Sequence, residues 1–153
     1  VKISKLIGHE NKKLTTPVLY TNIKKAVKTG NALLSYCKRG GPLGLAANQA
    51  GIMERVCVVK IDETFRVLID PHIITRSGII KSREGCLSLP GMRGDIQRPK
   101  KVLVDWIEVT DWIEVRKSGE YTGMNATIMM HVIEHLNGIR CIDKMKAKHM
   151  EGE

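Results

Sequence analysis

Two histidines set the chemistry. His131 and His135 stand four residues apart, and helical residues turn by about 100° each, so both project from nearly the same side of a helix. Two imidazoles at that spacing can hold one divalent ion. An H-x-x-x-H pair alone is a weak signal, since such pairs also occur on solvated faces. Here Ile128, Met129, Met130 and Val132 surround the pair, so the helix is expected to be buried and its histidines to need partners. The third donor is expected to be Cys86, in the turn-bounded segment EGCLSLPG. A thiolate with two imidazoles leaves a tetrahedral ion one position open to water, which is a catalytic and not a closed structural arrangement. Cys37, Cys57 and Cys141 are expected in the core. Hydrolysis also needs donors for a developing oxyanion. Gln49, in GLAANQ, offers an amide, and Gly44, Ala46 and Ala47 let backbone approach a ligand. The same segment reads equally as a tight turn packed under a helix.

The elements that must position these residues are legible in outline. Ile23, Ala26, Val27, Leu33 and Leu34 predict a helix over Ile23–Cys37, weakened by Gly30 and ended by Arg39-Gly40-Gly41-Pro42. Short apolar runs predict strands at Val56–Ile61 and at Val67–Asp70, the latter stopped by Pro71, with a further strand over Ile73–Lys81 broken at Gly78. The pentapeptide DWIEV occurs at 105–109 and again at 111–115, predicting one long strand or a hairpin turning near Thr110-Asp111. Alternation puts Ile107, Val109, Ile113 and Val115 on one face, with Trp106, Glu108, Trp112 and Glu114 on the other. A second helix is predicted over Gly123–Asn137, with Gly138 just past its end. The sum is an α+β fold in which residues 1–153 form a single domain.

Composition bounds the function. The chain has 153 residues, 42% hydrophobic and 27% charged, which excludes a disordered chain, a collagen-like fibre and a coiled coil. No apolar run approaches the roughly 18 residues that span a bilayer, so no membrane association is expected. The start, Val1–Glu10, lacks the apolar stretch of a signal peptide. A cytoplasmic location follows, or an organelle if a transit peptide has been removed. Four cysteines without a CxxC pair suit a reducing compartment. The net charge of +9 reads as a soluble basic surface or as one that docks on a polyanion. Aromatic content of 4% is too sparse for a single-strand stacking platform.

GLAANQ, EGCLS and HVIEHLNG, in that order, resemble the three signature motifs of the peptide deformylase family; VLIDP before the second and RPKKV after it fit as well. The resemblance implies an α+β fold with mixed β-sheets around a central metal-bearing helix. It implies that Cys86, His131 and His135 bind one divalent metal ion, usually Fe(II), with zinc, nickel or cobalt able to occupy the site. It implies that Gln49 and the Leu87 backbone N–H stabilise a tetrahedral intermediate, and that Leu43, Gly44, Leu89, Arg93 and Ile128 line the path of an extended peptide. The reaction implied is removal of formyl from the N-terminal formyl-methionine of nascent polypeptides, near the ribosome exit.

The departures from the family pattern are equally specific. Its third motif, Q-H-E-x-D-H, reads Met130-His131-Val132-Ile133-Glu134-His135 here. Val132 occupies the position of the family's general acid/base glutamate and cannot carry a proton. Glu134 replaces an aspartate and is expected to orient a ligand histidine from behind. Pro42 replaces the first glycine of the first motif. Reduced deformylation is therefore expected. The alternative is a silent, metal-binding homologue that binds formyl-methionyl peptides or docks at the ribosome.

Overall fold

The computed structural model describes residues 1–86 and 89–145, with the side chains of 85–93 outside the description. Helix α1 spans Ile23–Lys38 and α2 spans Gly123–Leu136. Strands β1 (Gly44–Ala46), β2 (Val56–Ile61), β3 (Thr64–Ser77), β6 (Lys101–Thr110) and β7 (Ile113–Thr122) form one sheet in the order β1-β2-β3-β6-β7. Strands β4 (Ile80–Cys86) and β5 (Leu89–Arg98) form a separate two-stranded ribbon. The α+β class is as expected. The sheets are not mixed, however: every ladder among the described residues is antiparallel.

The two helices cover opposite faces of the main sheet. Along β2, Val56 and Val58 join α1's Ala26 and Leu33, while Cys57, Val59 and Ile61 join α2's Met129, Val132 and Ile133. That sandwich explains why β2 is nearly continuously apolar. α1 begins at Asn22, whose side chain accepts the Lys25 N–H at 3.1 Å. Gly30 costs helix propensity but permits the contact with β3, because a Cβ there would stand 2.5 Å from Val67 Cγ1.

Two strand expectations need correction. β3 does not stop at Pro71 but continues to Ser77. The register with β6 shifts between Ile69 and His72, where Asp70 has φ +50°, so the missing proline N–H falls within a bulge. The DWIEV repeat is a hairpin with a two-residue turn, Asp111 and Trp112, at φ +51° and +63°. Thr110 pairs with Ile113 and Val109 with Glu114. Residues directly opposite share a face, so Ile107 and Val109 do not share one with Ile113 and Val115. Simple alternation counts through the turn as though it were strand, and that inverts β7. Trp106 points into the core, 1% exposed, and Trp112 is 65% exposed.

Candidate metal centre

α2 is buried along most of its length, as its apolar residues require, and carries both histidines. Its end is fixed by backbone geometry. The Gly138 N–H donates to the His135 carbonyl at 3.0 Å and the Ile139 N–H to that of Glu134 at 2.9 Å, with Gly138 at φ +78°. The Asn48 amide also donates to the His135 carbonyl, at 2.6 Å. Asn48 and Gln49 lie on the 3-10 turn Ala47–Ala50 that follows β1. The small-residue segment is thus both a tight turn and the strut that holds the helix end.

The imidazole pair is built as the spacing predicts. The His131 and His135 rings have centroids 5.1 Å apart and meet edge to face at 67°. His135 is 1% exposed and the His131 side chain 17%. His131 Nδ1 lies 2.7 Å from Glu84 Oε1. A carboxylate on Nδ1 selects the tautomer that presents Nε2 as the coordinating nitrogen. Glu84 is itself clamped: Arg98 Nε donates to Oε2 at 2.7 Å and Nη2 to Oε1 at 2.6 Å. Arg98 reaches on to Glu134, whose other oxygen meets Lys144. Burial alone would raise the Glu84 carboxyl, but the hydrogen bonds from Arg98 and His131 and the Arg98 charge outweigh it and hold the carboxyl down at about 2. The same carboxylates push Arg98 above its ordinary range despite its burial.

This network bears on two expectations. Glu84 holds His131, and Glu134 joins the network through Arg98. Cys141 is buried as expected but is no simple core residue, since its Sγ lies 3.2 Å from His131 Nδ1 and 3.9 Å from Glu84 Oε1. Glu84, His131 and Cys141 place donor atoms within 4.8 Å of one another, yet the Arg98 clamp commits Glu84 to orienting its histidine. Cys37 and Cys57 are structural, and burial drives their thiols up to about 11 and about 12. A buried and a half-buried imidazole one turn apart, the latter steered by a carboxylate, are the donor chemistry a divalent ion needs, so the residues fit the implied metal.

The other expected residues divide by location. Gln49 is buried, and its Oε1 accepts the Ala46 N–H at 3.0 Å, leaving the amide NH2 as the donating end. Val132 is 2% exposed and packs so closely on β1 that a Cβ at Gly44 would fall 2.4 Å from its Cγ2 and 3.6 Å from Ile128 Cγ2. Leu43 is exposed, with its carbonyl accepting the Lys60 N–H at 2.7 Å. Cys86 ends β4, within a strand and not between turns as expected; its side chain, Leu87, and the side chains of Leu89 and Arg93 lie outside the described residues. Arg98, Lys144 and the role of Glu84 were missed from sequence. The available signal was Glu84 two residues before Cys86.

The arrangement defines a class: α+β proteins that carry a divalent-ion donor set on a helix packed beneath an antiparallel sheet. A family model described as polypeptide deformylase matches residues 3–151. The chain belongs to the polypeptide deformylase family. The peptide deformylase of Thermoanaerobacter pseudethanolicus is 41% identical over 102 residues, covering 67% of this chain and 62% of the relative. That of Chlorobium phaeobacteroides is 35% identical over 124 residues, covering 76% and 64%. The chain therefore matches less than two thirds of the length of these relatives. Among solved structures, a class I type b peptide deformylase from Acinetobacter baumannii superposes with a TM-score of 0.79 at 27% identity, covering 94% of this chain and 99% of that one. The Thermotoga maritima peptide deformylase gives 0.80 at 25%, covering 94% and 98%.

Proposed function

We propose that this chain is a metal-dependent amide hydrolase of the deformylase type, acting on the formyl group of N-terminal formyl-methionyl peptides at a rate reduced by Val132. The observation that supports it is the His131–His135 pair steered by the clamped Glu84. His131, His135 and Cys86 would hold the ion, Fe(II) or in its place zinc, nickel or cobalt. A divalent ion held there supplies Lewis acidity toward a carbonyl and lowers the proton affinity of water. The Gln49 amide and the Leu87 N–H donate to the oxyanion as the carbonyl carbon becomes tetrahedral. β1 is a terminal strand of its sheet, so the peptide adds as an extended strand along Leu43 and Gly44, between that edge and the segment holding Leu89 and Arg93, with Ile128 beneath Gly44. The step this chain performs poorly is proton transfer to the leaving amine, because an isopropyl side chain stands at position 132. The basic surface suits docking at the ribosome in the cytoplasm.

A second reading is supported by the burial of Val132 against Gly44: a silent homologue that binds formyl-methionyl peptides without turnover. Deformylation of formyl-Met-Ala-Ser separates the two, with protein loaded anaerobically with Fe(II) and, separately, with nickel and zinc. The hydrolase predicts slow turnover that rises about 10²–10⁴-fold in Val132→Glu. No turnover in either protein, with metal bound to both, selects the silent homologue.

A further inference from the structure

We propose that the outer edge of β7 pairs antiparallel with β7 of a second copy of this chain, with Ser118 on the two-fold axis. β7 is the terminal strand of the main sheet and ten residues long; among the described residues no strand pairs with its outer side. Long open edges are templates for strand addition.

The hairpin fixes which groups face outward. A two-residue turn makes Thr110 and Ile113 a hydrogen-bonded pair, so Ile113, Val115, Lys117, Gly119 and Tyr121 bond inward to β6. Glu114, Arg116, Ser118 and Glu120 are left with their N–H and C=O groups directed outward. An antiparallel pair of identical edges must match these even-numbered residues with one another.

Charge and paired length then select the register. An axis at Arg116 sets arginine against arginine. One at Lys117 sets lysine against lysine and Glu114 against Glu120. Axes at Val115 and Gly119 oppose no like charges but leave only five and seven residues of β7 paired. With the axis at Ser118, nine residues pair, from 114 to 122. Arg116 faces Glu120 of the second copy, Val115 faces its Tyr121, and Lys117 faces its Gly119, so no like charges stand opposite. Within its own chain Arg116 reaches Asp70 only at 3.9 Å, while Glu120 meets Lys101 on the surface at 2.8 Å. Beyond the ladder the same register carries the turn residue Trp112 toward the start of α2 in the second copy, where Met124 is 70% exposed. That covers apolar side chains at both ends.

Cysteine scanning tests the register on the whole chain. Ser118→Cys places two thiols at an axial pair with Cα atoms about 5.5 Å apart, within disulfide reach. It should cross-link under mild oxidation, whereas Val115→Cys, Arg116→Cys and Lys117→Cys should not exceed the wild-type background. Sedimentation from about 1 µM to about 1 mM protein should show concentration-dependent dimerisation. Arg116→Glu should weaken it at least about tenfold, and the double swap Arg116→Glu/Glu120→Arg should restore it to within about threefold. Fastest cross-linking at 115, 116 or 117 overturns the register. A monomer throughout, or a single swap that associates like wild type, overturns the pairing itself.

Discussion

Arg98→Met removes the cation at the centre of the buried network while keeping an unbranched chain of similar reach. Arg98 is nearly fully buried and donates to both oxygens of Glu84 and to Glu134. In the variant Glu84 retains His131 and Glu134 retains Lys144. Breaking one side of a buried ion pair costs about 3–5 kcal/mol, because the remaining charge is left uncompensated. A chain of this size shifts by about 2–4 °C per kcal/mol, so Tm at neutral pH should fall by roughly 6–20 °C. The pH dependence should also weaken. In the wild type the Glu84 carboxyl is depressed, so its contribution is fully present above the ordinary glutamate range and is lost as pH falls toward about 2. Without Arg98 only the hydrogen bonds from His131 and Ser82 oppose burial, so the carboxyl is held down less and the variant should lose less further stability than the wild type as pH falls below the ordinary glutamate range. Because Glu84 steers His131, metal affinity should drop about 10–100-fold. Thermal unfolding by circular dichroism across pH, paired with metal titration, reads all three effects. A Tm loss below about 2 °C refutes the energetics. Full destabilisation with unchanged metal affinity refutes the relay from Arg98 through Glu84 to His131.

Other outcomes follow from the same geometry. Gly44→Ala should destabilise by about 1–3 kcal/mol, since its Cβ would fall 2.4 Å from Val132 Cγ2. In a Val132→Ala background most of that penalty should vanish, giving a coupling of about 1 kcal/mol or more in denaturant unfolding; independent effects would refute the contact. Asn48→Ala removes the 2.6 Å bond to the His135 carbonyl and should cost about 1–3 kcal/mol in the same assay. Asn22→Ala, which removes the α1 cap, should cost about 1 kcal/mol with no change in metal affinity.

The helix with its two histidines was legible because both signals are local. Periodicity marks a buried helix, and a four-residue spacing fixes the side on which both imidazoles project. Gly138 and Asn22 were or could have been read the same way, since capping depends on a few adjacent residues. The clamp on His131 was not legible, because Glu84, Arg98 and Glu134 come from β4, β5 and α2, and no local pattern pairs them. Pro71 misled for a related reason: its lost N–H ends a strand by rule, but a bulge against β6 absorbs it.

The DWIEV repeat separates the two kinds of information most clearly. Sequence alone determined that both copies favour extended backbone and that a turn falls between them. It could not determine their fates, since the five residues are identical. The turn has two residues, so opposed positions sum to an odd number and the second copy meets the sheet with its faces exchanged. The first copy lies on β6, covered by helices, and buries Trp106; the second begins in the turn and forms the edge, where Trp112 meets solvent. Position within the sheet, set by pairing between distant strands, decided what identical side chains do.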